Sequence, residues 1–244
     1  MLNNREMPAK LPSLTVFFLY LNDSPAVGGL LDRAAAAARD CAERHELLVV
    51  DDGSVPEEAA RLDAAASARG ARVIRHPRPL GNGAAVRRGL YEARGEWVFY
   101  TDGDGQYDPA ELARLVDLWR TDPSLDFLNG RRIARADALA RRPFGGGFRL
   151  LALSLLGAPV SDVNCAFRLI STALVRRLSL SSQGGGVSLE LARAAAAAGG
   201  RFGETGVTHL PRRHGRSEFF RPHGLFQFGR DLGREFVARK AGSA

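Results

Sequence analysis

The stretch Trp97-Val98-Phe99-Tyr100-Thr101-Asp102-Gly103-Asp104-Gly105-Gln106 constrains the fold more than any other part of the chain. An apolar run of aromatic and β-branched residues stops abruptly in two carboxylates separated by one glycine. The run is too short for a helix and is bounded by Gly95 and Gly103, as a central strand of an α/β sheet would be. Asp102 and Asp104 then fall on the loop at its carboxyl end, the edge where open α/β sheets bind ligands. Hard oxygen ligands at that place suit Mg²⁺ or Mn²⁺, with phosphate oxygens completing the shell. The competing explanation is an Asp-Gly turn with solvated carboxylates, since both residues are common in turns. The next residues add weight to the ligand site. Asp108-Pro109-Ala110-Glu111 predicts a helix start, with Asp at the N-cap, Pro at the first position and Glu reaching back. Leu112, Leu115, Val116 and Trp119 continue it as an apolar stripe.

Upstream, residues 1–12 read as a flexible polar arm, and Leu14 to Leu21 as a first strand ending in Asn22-Asp23-Ser24-Pro25. A helix is predicted from about Val27 to Arg44. Leu47 to Val50 forms a second strand that stops at Asp51-Asp52-Gly53-Ser54, with Ser54 and Glu57 spaced as a capping box. Arg72-Val73-Ile74 is a third strand, and Gly81-Asn82-Gly83 leads into a helix from Ala84 to Ala93. This alternation predicts a parallel sheet with helical crossovers. Two acidic strand ends then share one edge, and an accidental pair of caps explains that poorly.

With 244 residues and 45% hydrophobic content the chain can bury a full core, and one α/β domain is expected. The net charge of +7 implies anionic partners: nucleotides, a membrane surface or nucleic acid. Cys41 and Cys165 have neither metal nor disulfide spacing, and no stretch reaches membrane-spanning length or reads as a secretory signal. A cytoplasmic protein is expected.

Downstream, Phe127 to Gly130 is a strand, and the arginines of 129–149 (Arg131, Arg132, Arg135, Arg141, Arg142, Arg149) read as a basic loop. Guanidinium groups bind phosphate bidentately, and Arg132, next to the strand, is the strongest candidate. Phe148, Leu151 and Leu155 give an apolar face to a helix over 144–156. Ser188 to Ala198 is an Ala-rich helix in which Glu190 offsets the dipole. Phe202 to Leu210 is a last strand leading to Pro211-Arg212-Arg213-His214-Gly215-Arg216-Ser217, a phosphate-closing mixture of residue types. His209 and His214 are read as hydrogen-bonding histidines in preference to metal ligands. Leu225, Phe228, Leu232 and Phe236 share one face of a basic C-terminal helix over 222–244, suited to an anionic membrane or to the protein's own core.

In order, Asn22-Asp23, Val50-Asp51-Asp52-Gly53-Ser54, Gly81-x-Gly83, Asp102-x-Asp104-x-Gln106, Asp162 with Phe167-Arg168, and His214-Gly215-Arg216-Ser217 resemble the inverting, GT-A-type nucleotide-sugar glycosyltransferases. Within these the chain resembles the polyprenyl-phosphate sugar transferases typified by dolichol-phosphate mannosyltransferase. The resemblance implies a Rossmann-like, mostly parallel sheet over residues 13–221. It also implies a hexosyltransferase with a nucleotide-sugar donor. Asn22, Asp23, Asp51 and Asp52 would hold base and ribose, with Gly83 and Ser217 also in the cofactor site. Asp102, Asp104 and Gln106 would hold Mg²⁺ or Mn²⁺ and the diphosphate.

On this reading Asp104 serves catalysis through the metal, while Arg132 and Arg216 position a polyprenyl phosphate. That phosphate attacks already ionised, its second pKa being about 6. A second reading keeps the donor and makes the acceptor a hydroxyl on a small molecule or glycan, with Asp162 as general base at a strand end. A third is a non-catalytic basic protein that binds nucleotide or nucleic acid. It leaves both acidic strand ends unexplained and shows no nucleic-acid module, so no nucleic-acid partner is expected. Peripheral contact with the cytoplasmic face of a membrane accompanies the first reading.

Overall fold

The computed structural model describes residues 10–22, 24–135 and 159–211, together with Arg230 and Gly233. The predicted helix over 144–156 and the C-terminal helix therefore lie outside the described residues. The elements alternate as expected through the first half: β1 (Leu11–Tyr20), α1 (Ser24–Cys41), β2 (Ala42–Asp51), α2 (Pro56–Ser67), β3 (Arg72–Arg75), α3 (Asn82–Glu92) and β4 (Trp97–Asp102). A 3-10 turn (Pro109–Glu111) leads into α4 (Leu112–Thr121). Then come β5 (Phe127–Arg135), β6 (Phe167–Ser171), a one-turn α5 (Thr172–Val175), α6 (Val187–Ala197) and β7 (Phe202–His209). The first strand starts inside the expected arm because Leu11 is fully buried and pairs with Ala42.

The strands form one seven-stranded sheet in the order β3-β2-β1-β4-β6-β5-β7, with β4 at its centre. Alternation of its side chains explains why this strand is apolar throughout. Phe99 enters the layer of α1, α2 and α4, packed with Leu30, Leu62, Leu115 and Trp119. Val98 and Tyr100 enter the opposite layer, packed with Val86, Leu90, Leu174 and Leu191. A strand covered on both faces has no solvent side to keep polar. Each such side chain contributes about 1.5–3 kcal/mol on burial.

The sheet is mostly parallel, as expected, with one strand reversed. β6 runs antiparallel to both of its neighbours, β4 and β5, while β5 and β7 are parallel to each other. This reversal matters for the site. Residues preceding β6 reach the same edge as residues following β1, β2, β4 and β5. Asp162, expected at a strand end, reaches that edge on the amino-terminal side of β6.

Candidate active site

The loops after β1 and β2 are stitched together. Asn22 takes a left-handed backbone (φ 53°), and its Oδ1 accepts the Val55 N–H at 2.9 Å. Its own N–H donates to Ser54 Oγ at 3.0 Å. Ser54 in turn donates to Asp51 Oδ1 from both its hydroxyl (2.6 Å) and its backbone N–H (2.9 Å). The expected capping box is therefore not formed. α2 begins after Val55 with no side-chain cap, because Ser54 is committed to Asp51 and Asn22. The other Asp51 oxygen accepts from Arg75 Nε at 2.6 Å, and Arg75 also donates to Asp63. Its hydrogen bonds to Asp63, then to Asp51, raise the Arg75 guanidinium pKa above its ordinary value. Asp52 is equally engaged, by His76 Nδ1 (2.7 Å) and the backbone N–H groups of Leu80 (2.9 Å) and Gly81 (2.8 Å). Asp51 and Asp52, read from the sequence as nucleotide contacts, both lie at the end of β2. The sequence could not show that both carboxylates organise the loops first. Gly83 also has a structural reason to be glycine: a Cβ there would collide with the Ser182 carbonyl, whose neighbour Gln183 accepts the Gly83 N–H at 2.8 Å. Asp23 lies outside the described residues.

The loop after β4 is tighter still. In the sheet register Tyr20 faces Asp51 and Leu19 faces Asp102, so the two acidic strand ends flank the end of β1. Gly103 donates to Leu19 O at 3.1 Å, an approach no side chain would permit. Asp102 is half-buried and Asp104 buried. Asp104 Oδ1 accepts the Gln106 N–H at 3.0 Å, a side-chain-closed turn. Gln106 then bonds the end of β7 twice: its Nε2 donates to Leu210 O (3.1 Å), and its carbonyl accepts the Leu210 N–H (2.8 Å). With the amide nitrogen directed at Leu210, Oε1 is the end suited to a cation. Asp108 caps the 3-10 turn as expected, accepting the Ala110 N–H. Glu111 does not reach back along it. It accepts from the Thr208 N–H (2.7 Å) and hydroxyl (2.9 Å) on β7.

Among the described residues no three His, Cys, Asp or Glu side chains gather as a closed metal cage. One or two carboxylates with substrate phosphates is the arrangement Mg²⁺ favours, and the oxygen donors of this loop fit it. Tyr107 packs against Phe167 and, edge-on, against His209 (ring centres 5.0 Å apart). Burial raises its phenol pKa well above the ordinary value, and the nearby Arg132 charge opposes that rise.

Across the edge, Arg132 and Asp162 form a bidentate pair. Arg132 donates from Nε to Oδ2 (2.8 Å) and from Nη2 to Oδ1 (2.6 Å), with its backbone N–H also on Oδ2 (3.2 Å). Burial alone would lower the guanidinium pKa, but the Asp162 hydrogen bond and charge outweigh it and hold the pKa above its usual range. The expected basic loop thus begins as strand: Arg131 and Arg132 belong to β5. Arg141, Arg142, Arg149, His214, Arg216 and Ser217 lie outside the described residues.

Three residues here escaped sequence reading in their roles. Glu204 on β7 accepts from the Ser161 N–H (2.8 Å), the Asp162 N–H (3.4 Å) and Asn129 Nδ2 (3.1 Å). Arg168 is fully buried and donates to Asn129 Oδ1, Tyr100 Oη and the carbonyls of Ser188 and Val163. Glu190, expected to offset a dipole, is buried and accepts from the Ser181 and Ser182 N–H groups (2.7 and 2.9 Å).

The sequence profile of Glycosyl transferase family 2 matches residues 15–179, more than half of the chain. The chain belongs to Glycosyl transferase family 2. Among curated proteins, this family 2 chain is similar to the dodecaprenyl-phosphate galacturonate synthase of Rhizobium johnstonii. The two are 29% identical over 222 residues, covering 87% of this chain and 63% of the relative. It is 28% identical to the undecaprenyl-phosphate 4-deoxy-4-formamido-L-arabinose transferase of Edwardsiella ictaluri, covering 81% of this chain and 60% of the relative. The chain thus spans less than two thirds of the length of either. The fold is similar to that of glucosyl-3-phosphoglycerate synthase from Mycobacterium tuberculosis, solved with Mg²⁺ and uridine diphosphate. The TM-score is 0.68 at 20% identity, covering 93% of this chain and 80% of that one. The GT-A architecture expected from the motifs is therefore present.

Proposed function

We propose that the chain is an inverting glycosyltransferase that moves a sugar from a nucleotide-diphosphate sugar to a polyprenyl phosphate. The observation that carries the choice of acceptor is the Arg132–Asp162 pair. A general base must take up the hydroxyl proton, and the Arg132 guanidinium held on both Asp162 oxygens stabilises the carboxylate and works against that uptake. A phosphate monoester needs no such base, because its second pKa is about 6 and it arrives ionised. The two similar proteins named above, a dodecaprenyl-phosphate synthase and an undecaprenyl-phosphate transferase, support the same class.

On the donor side, Asn22 and the Asp51–Asp52 loop line the nucleoside end. Asp51 and Asp52 act there by holding Ser54, Leu80 and Gly81 in place. Asp102, Asp104 and Gln106 Oε1 would hold Mg²⁺ or Mn²⁺, which when bound supplies Lewis-acid neutralisation of the diphosphate leaving group. Arg132 and Arg216, with Ser217, orient the attacking phosphate oxygen, and direct displacement inverts the anomeric carbon. No helix among the described residues is long and apolar enough to cross a membrane. The lipid acceptor therefore calls for peripheral contact at the cytoplasmic face, and residues 222–244 are the candidate element.

The test supplies labelled nucleotide sugars with Mn²⁺ and offers polyprenyl phosphate, free polyprenol and small-molecule alcohols in parallel. Label is expected only in the polyprenyl phosphate product. Transfer to alcohols that disappears in Asp162→Asn would establish the hydroxyl reading instead.

A further inference from the structure

We infer that Asp162 is a resident anion that occupies the acceptor-phosphate position on Arg132 and must be displaced when the acceptor binds. This inference rests on the phosphate-acceptor reading above. A carboxylate and a phosphate present the same two-oxygen edge to a guanidinium, so one can replace the other without rebuilding the arginine. Arg132 uses its Nε–Nη2 edge on Asp162, yet its side chain is 18% exposed, whereas the Asp162 side chain is 8% exposed. The arginine is therefore the partner more open to solvent.

The exchange needs only side chains to move. The Asp162 main chain is fixed independently of Arg132: its N–H is held by Glu204, and its carbonyl accepts from Asn129 Nδ2 (3.2 Å) and the Cys165 N–H (3.0 Å). Arg132 is held in β5, where it pairs with Val207 of β7. Both backbones stay in place while the carboxylate swings off the guanidinium.

Such a device discriminates by charge. A dianionic phosphate can compete with a carboxylate for the guanidinium, and an alcohol, which carries no charge, cannot. Asp162 would keep Arg132 aligned and its charge neutralised in the empty site, at some loss of acceptor affinity. In this role Asp162 is a positioning residue whose removal strengthens binding. A general base would show the opposite signature, unchanged binding with lost turnover.

The experiment measures binding of inorganic phosphate, farnesyl phosphate and farnesol to the full chain by calorimetry, for wild type and Asp162→Asn. The variant should bind both phosphates about tenfold more tightly, the scale set by removing one charge-assisted competitor. Farnesol binding should be the same in both proteins. Tighter binding of farnesyl phosphate than of inorganic phosphate would mark the lipid as the source of the ligand. Unchanged or weaker phosphate binding by folded Asp162→Asn overturns the inference. Should that variant not fold, ¹⁵N NMR on wild type decides, with the Arg132 Nε–H signal identified by its absence in Arg132→Lys. The signal should shift on saturation with farnesyl phosphate, and a signal that stays put overturns the inference. Wild-type transfer to polyprenyl phosphate with an unmoved Arg132 signal would refute the resident anion alone. Tighter phosphate binding by Asp162→Asn without transfer to any polyprenyl phosphate would refute the transfer reading alone.

Discussion

Two carboxylate pairs stand on either side of the end of β1, and the protein treats them differently. Asp51 and Asp52 end β2, and between them they accept from Ser54, Arg75, His76, Leu80 and Gly81. Asp102 ends β4 and Asp104 follows it, one on each side of Gly103, and their loop is shaped by backbone contacts to Leu19 and Leu210. The first pair ties its loop to side chains of α2 and β3 and to the backbone before α3, and the second sits in a loop closed on the ends of β1 and β7. Identical residue types at one sheet edge thus stand in differently built loops.

The contrast breaks most decisively at Asp104. Asp104→Asn should lower transfer by about 10²–10³-fold, the usual scale for removing one element of electrostatic stabilisation. Mn²⁺ affinity should fall with it while the melting temperature holds. A stable variant that keeps both turnover and Mn²⁺ affinity would make the second pair structural like the first. Asp51→Ala should do the reverse. It strips a fully buried acceptor from Ser54 and Arg75, and the expected loss is about 2–3 kcal/mol in chemical denaturation. Unchanged stability would move Asp51 to the ligand side of the comparison.

Glu204→Gln sharpens the boundary between shaping and binding on the other half of the sheet. The amide cannot accept from Ser161, Asp162 and Asn129 together, so acceptor KM should rise several-fold, on the order of 1 kcal/mol, while donor KM stays fixed. Equal changes in both constants would show a general loss of structure. The smallest effect concerns pH. Burial raises the Cys41 thiol to about 11 and the Cys165 thiol to about 12. Both thiols ionise near 9 in the unfolded chain. Between pH 9 and 11 the unfolded state therefore binds fewer protons than the folded one, and stability falls as pH rises through that window. Cys165→Ala should flatten the decline in melting temperature above pH 9, and an unaltered slope would assign the loss to other groups.

Much of the donor half was legible because its signals are local. A strand buried on both faces shows as a continuous apolar run, and the stripe Leu112, Leu115, Val116 and Trp119 is fully realised in α4. The failures came where a side chain had a distant alternative. Ser54 and Glu111 fit local capping patterns but bond Asn22 and Thr208, partners that only the folded sheet brings within reach. The Arg132–Asp162 pair spans thirty positions and depends on β6 running backwards. No periodicity announces a five-residue reversed strand whose side chains are all buried. A glycine carries a related ambiguity: the resemblance puts Gly83 in the cofactor site, and the fold adds a close approach to the Ser182 carbonyl that its sequence neighbours do not announce.

Arg168 bears on how this half of the molecule assembles. Its four acceptors come from β4, β5, the segment before β6, and α6, so no two neighbouring elements can satisfy it by themselves. A guanidinium gives up water only when replacement acceptors are already in place. Its desolvation is therefore compensated only where β4, β5, the segment before β6 and α6 come together. Removing any one of the four acceptors would leave a buried guanidinium donor to be satisfied elsewhere, so this one side chain ties four separate stretches of the chain into a single cost of opening.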